Sequence, residues 1–165
     1  MDSAELKKIQ SPLKESYKVN PEAAKITLKA TARPGEGITC SIETGKALSK
    51  AGLHPLSGGD GLSLCSGDML LEALAACAGV TFNAVATAIE FKFSDARIHT
   101  EGDLDFRGTL GVDKQAPVGL TDIRMKFDIE TDETPERIQT LIKLTERYCV
   151  VLQTLQSANQ VKISY

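Results

Sequence analysis

Apolar and polar residues alternate with period two from Lys25 to Ala32: Ile26, Leu28, Ala30 and Ala32 against Lys25, Thr27, Lys29 and Thr31. That period predicts a strand with one packed and one wet face. After "RPGEG" (33–37), which reads as a turn, Ile38, Cys40 and Ile42 alternate with Thr39 and Ser41, so a hairpin is expected. The period then changes. From about Asp68 to Glu90 the chain is apolar almost all round, and "EALAACAGVTFNAVATAI" (72–89) carries one charge. This predicts a buried central helix with Ser66 as its N-cap. Alternation returns over 96–107 and 123–130, predicting two more strands; His99, Asp105 and Arg107 fall on the wet face of the first and Phe106 on its packed face. A second helix is expected from Thr134-Pro135 to about Ser157, with Ile138, Leu141, Thr145, Cys149, Leu152 and Leu155 as its apolar stripe. "QVKISY" reads as a last short strand. The order β-β-α-β-β-α-β makes an α+β fold, two long helices against largely antiparallel sheet.

Ahead of this body, residues 1–24 read as an arm with a short helix at "SPLKESY" (11–17), Ser11 as cap and Pro12 in its first turn. Ile9, Leu13 and Tyr17 share a face. Residues 25–165 then form one domain, a size that supports its own core. The formal net charge of −3 gives no electrostatic case for nucleic acid or an anionic membrane. The start "MDSAELKKIQ" lacks the apolar run of a secretory signal, which predicts a cytoplasmic protein. Four cysteines in a reducing compartment are free thiols or a working redox pair rather than staples.

Each cysteine reads differently. Cys77 lies roughly 16 Å along the helix from its start, too far for the helix dipole to activate it. On pattern alone a buried core cysteine is the commoner reading. Cys65 sits at the helix start, where the N-terminal field favours a thiolate. A continuous helix between them forbids a Cys65–Cys77 disulfide. A partner for Cys77 is therefore Cys149, Cys40 or a cysteine of another chain. Cys40 reads as a core residue. No pair has CxxC spacing, and with His54 and His99 as the only histidines a zinc site is not expected. His54 stands in the glycine-rich loop "HPLSGGDG" (54–61), where it reads as a loop residue that could line a pocket. Arg147 reads as a surface charge.

"CSGDMLLEALAACAGVT" (65–81), followed by "ERYCVVLQTL" (146–155), resembles the OsmC/Ohr family of osmotically inducible protein C-like and organic hydroperoxide resistance proteins. The resemblance covers about residues 25–165. It implies an intertwined homodimer whose two long helices are wrapped by antiparallel sheet. It also implies a thiol-dependent peroxidase acting on organic hydroperoxides, with no cofactor or metal and an external dithiol as reductant. Carried over, Cys77 is peroxidatic and Cys149 resolving. Arg33 matches the family's activating arginine, and Asp68, nine residues before Cys77, stands for the glutamate that orients it; Glu72 is the alternative partner. This chain departs from the family at Asp68, one methylene short. It departs again at Cys149-Val150-Val151-Leu152, where the family usually reads Cys-Pro-x-Ser. Those departures keep a second function open: a redox-sensing or small-molecule-binding protein without useful turnover. A third, a different thiol chemistry, would use Cys65.

Overall fold

The computed structural model describes residues 3–34, 40–42, 52–62, 64–158 and 160–164. Its first element is one long helix, α1 (Ser3–Val19), rather than a short one capped by Ser11. Pro12 lies inside it. A proline there removes one hydrogen bond and is tolerated because its neighbours (Lys7, Lys8, Gln10, Lys14, Glu15) favour helix. Tertiary contacts hold the helix as well. The Tyr17 hydroxyl donates to the Leu56 carbonyl at 2.6 Å, and the Gln10 amide donates to the Ser57 carbonyl at 3.2 Å. Tyr17 and Leu13 share a face, as expected, and pack with Ala24, Phe106 and Leu110.

Strand β1 (Lys25–Pro34) runs two residues into the expected turn, so Arg33 and Pro34 are strand residues. It pairs antiparallel with β2 (Cys40–Ile42), with Arg33 opposite Ser41. The rest of the turn, Ile38 and the side chain of Cys40 lie outside the described residues. Next come helix α2 (Ser66–Ala88) and strand β3 (Asp95–Asp105). Alternate burial holds along β3 as far as Gly102. It then breaks, because Phe106 starts a helical turn, α3 (Phe106–Thr109), instead of extending the strand. Asp105 and Arg107 therefore leave the wet face. Asp105 is buried and caps that turn, accepting from the Arg107 amide at 3.0 Å and from its guanidinium at 2.6 Å. Strand β4 (Thr121–Glu130) completes a sheet of order β2-β1-β3-β4.

The expected last helix is two helices, α4 (Pro135–Tyr148) and α5 (Val150–Gln156). The expected final strand is absent among the described residues: 160–164 adopt no regular structure, and Val161 and Ile163 are 84% and 90% exposed. Alternation becomes a strand only by pairing with a neighbour, and 160–164 pair with none of the described strands.

The chain divides into two compact units: Met1–Ala30, Thr44–Leu71 and Thr100–Met125 in one; Thr31–Glu43, Glu72–His99 and Lys126–Tyr165 in the other. The first holds the Tyr17 cluster, and there the Thr100 hydroxyl donates to the Leu71 carbonyl at 3.0 Å. The second is organised around Phe82, fully buried, edge-on to Phe93 at 5.2 Å and stacked with Phe127 at 6.1 Å. Arg137 of α4 closes the end of α2, donating to the carbonyls of Ile89 and Glu90. By length and composition α2 could cross a membrane. Its Leu71, Leu74, Ala75, Ala78 and Phe82 are instead fully buried within the protein. Phe82→Ala is expected to cost about 3–5 kcal/mol, since an aromatic side chain leaves a cavity its neighbours fill only partly. Guanidinium unfolding checks it; a loss below about 1 kcal/mol would contradict the packing described.

Candidate functional site

Cys77 projects from the middle of α2, in a stretch where small residues let neighbouring elements come close. Leu74, Ala75 and Ala78 around it are fully buried, whereas Cys77 is half-buried. Cys149 is 0% exposed and stands at the break between α4 and α5, with extended backbone angles (φ −70°, ψ 103°). Both helices use it. Its amide donates to the Thr145 carbonyl at 2.9 Å, ending α4, and its carbonyl accepts from Gln153 at 2.9 Å, starting α5. The break thus leaves the backbone bonded while redirecting one side chain. Thr145 donates its hydroxyl to the Leu141 carbonyl, a back-bond that tends to bend helices.

The result is that the Cys77 thiol lies beside the Cys149 thiol, close enough to shift its ionisation. Burial pushes the Cys149 thiol up to about 11 from its ordinary value of 9.0, and the neighbouring Cys77 adds to the rise; the amides of Leu152 and Val151 pull the other way. Cys149 is therefore a neutral hydrogen-bond donor near pH 7.

The other helix-start thiol behaves contrary to expectation. Cys65, not Ser66, occupies the cap position of α2: its carbonyl accepts from Met69 at 3.1 Å. Its amide donates to Asp68 Oδ2 at 3.3 Å, half of a capping box. Cys65 is buried, and burial raises its thiol, with the Asp68 carboxylate opposing the thiolate further. The field of the helix terminus does not overcome these. The reading of Cys65 as the better-activated thiol is corrected accordingly, and the continuous α2 keeps it apart from Cys77.

Asp68 and Arg33 each meet a group that the sequence did not indicate. Asp68 serves Cys65. Arg33, at the end of β1, faces Asp95 at the start of β3, with Nε 3.7 Å from Oδ1. Asp95 is a residue the sequence did not single out, because it lies 62 positions from Arg33 and only the sheet brings them together. Glu72 is 5% exposed and belongs, with Arg33, Cys77 and Cys149, to the second compact unit. His54 is structural: its Nδ1 accepts from the Leu56 amide at 3.1 Å, capping the turn Pro55–Ser57, and its ring stacks on Phe106 at 5.0 Å. Arg147 is exposed, as expected.

Comparison with known proteins identifies the family and the fold. The model of the family described as OsmC-like protein matches residues 58–164, a span that includes both Cys77 and Cys149. No curated protein matches the chain. Among solved structures, an OsmC-like hydroperoxide resistance protein from Jannaschia sp. CCS1 is similar, with a TM-score of 0.58 and 13% sequence identity. The similarity covers 84% of this chain and 91% of that one, and at this identity it shows the fold.

The raised Cys149 value has a consequence for stability. An unfolded cysteine ionises near about 8.5. Below that pH the buried neutral thiol contributes its full share to folding. As pH rises from there to about 11, the unfolded chain loses its proton first and that share is lost. Unfolding free energy should fall over this range, and Cys149→Ala should make the slope shallower by up to about one proton. Denaturant titrations at stepped pH measure this; identical slopes would contradict a buried, neutral Cys149.

Proposed function

The chain belongs to the OsmC-like protein family, and on that basis we propose that it is a thiol-dependent peroxidase that reduces organic hydroperoxides to alcohols. One observation carries the reading: a half-buried thiol on α2 beside a fully buried one at the α4–α5 break. That pairing supplies an attacking group and a resolving group without any further cofactor.

In the proposed cycle the Cys77 thiolate attacks the outer peroxide oxygen. The O–O bond breaks, the alkoxide takes a proton and leaves as alcohol, and Cys77 becomes a sulfenic acid. Cys149 then attacks the Cys77 sulfur, water leaves carrying the sulfenic oxygen, and a Cys77–Cys149 disulfide forms. An external dithiol reduces it by exchange. Arg33 is proposed as the cation that favours the Cys77 thiolate, since an arginine is always charged and matches an oxyanion well. We place the protein in the cytoplasm as a homodimer. Exposed Tyr148 and Val150, which flank Cys149, together with exposed Val161 and Ile163, support the dimer, as apolar surface that a second copy would cover.

A redox-sensing role is the second reading, and one observation favours it: a thiol with a value near 11 is a slow attacker at neutral pH. Stopped-flow kinetics with cumene hydroperoxide and excess dithiothreitol distinguish the two. Many turnovers per chain are expected, with kcat/KM reduced more than about a hundredfold in Cys77→Ser. Consumption that ends at one equivalent per chain with dithiol still present would contradict the peroxidase and favour the sensor.

A further inference from the structure

Arg33 is held by a carboxylate that the family resemblance did not indicate. Strands β1 and β3 are neighbours in the sheet, and Arg33 near the end of one meets Asp95 at the start of the other. Arg97, two residues along β3 and so on the same face, reaches the same carboxylate. Arg33 Nε lies 3.7 Å from Oδ1, and Arg97 Nε lies 3.8 Å from Oδ2. One anion therefore stands between two guanidiniums, one to each oxygen. Both separations exceed a direct hydrogen bond, so the hold is Coulombic rather than a rigid fork. The three side chains are 41%, 35% and 50% exposed for Arg33, Asp95 and Arg97, which screens each attraction and leaves the arrangement adjustable. Asp68, meanwhile, is engaged with the Cys65 amide.

We infer that Asp95 is a positioning residue for Arg33, keeping its guanidinium within the compact unit that holds Cys77 and Cys149. The inference rests on the reading that Arg33 favours the Cys77 thiolate. Its physical content is a change of sign. Asp95 is itself negative, so as a bystander it would oppose a thiolate, and neutralising it would make Cys77 easier to ionise. As a positioning residue it does the reverse. Without its charge Arg33 and Arg97 repel each other, Arg33 is displaced, and Cys77 becomes harder to ionise.

The test is the pH profile of Cys77 alkylation by iodoacetamide, followed by mass spectrometry of the native full-length chain. Asp95→Asn should move the midpoint upward by roughly half a pH unit, the size an exposed ion pair allows. Asp95→Glu should restore it toward the wild-type position. In an Arg33→Ala background, Asp95→Asn should no longer raise the midpoint. Thermal melts of each variant confirm that the fold persists, and Asp95→Ser carries the comparison if Asp95→Asn melts early. A midpoint that falls, stays in place, or rises equally without Arg33 overturns the inference. Alkylation does not require turnover, so it decides on Asp95 even if cumene hydroperoxide is not consumed; that second outcome would count against the peroxidase reading alone.

Discussion

A helix as apolar as α2 is stable in water only where other parts of the protein cover it, and its Leu71, Leu74, Ala75, Ala78 and Phe82 are fully buried while Leu70 and Val80 stay 38% and 37% exposed. Phe82 satisfies one face through Phe93 and Phe127; the carbonyl end is closed by Arg137. The small residues around Cys77 satisfy another by letting an approaching element come close enough for two thiols to touch. The thiol pair is thus a by-product of covering α2 as much as a device for chemistry. The same burial that stabilises the helix raises Cys149 and makes it a hydrogen-bond donor.

The break at Cys149 is the second determinant. As an unbroken helix, the segment would have carried Cys149 as one more residue of an apolar stripe. Instead the residue takes extended angles at the junction, and its amide and carbonyl still complete both helices. The cost of interruption is therefore small, and the thiol gains a fixed direction. Cys65 shows the opposite case. It sits where a helix terminus would promote a thiolate, yet burial and the Asp68 carboxylate override that field. Position on a helix alone does not make a cysteine reactive; the sum of burial and neighbouring charge does.

Much of the fold was legible in the sequence because periodicity reports burial directly. The alternation of β1, β3 and β4 and the apolar run of α2 follow from which residues must leave water. The OsmC-like resemblance at Cys77 and Cys149 was legible too, since it depends on local motifs. What escaped is set by tertiary context. Pro12 inside α1 is tolerated because Tyr17 and Gln10 anchor the helix elsewhere. Asp105 turned inward because Arg107 reaches back to it. The residues 160–164 alternate like a strand but pair with none of the described strands. Asp95 could not be linked to Arg33 without knowing that β1 and β3 are adjacent.

The central claim is that Cys77 and Cys149 act as one redox pair, and disulfide mapping tests it most directly. Reduced protein would be treated with one equivalent of cumene hydroperoxide, quenched with an alkylating agent, digested and analysed by mass spectrometry. The account predicts a Cys77–Cys149 linkage with Cys65 still a free thiol. A linkage joining Cys77 to Cys65 or Cys40, or four free thiols with the peroxide unconsumed, would contradict it.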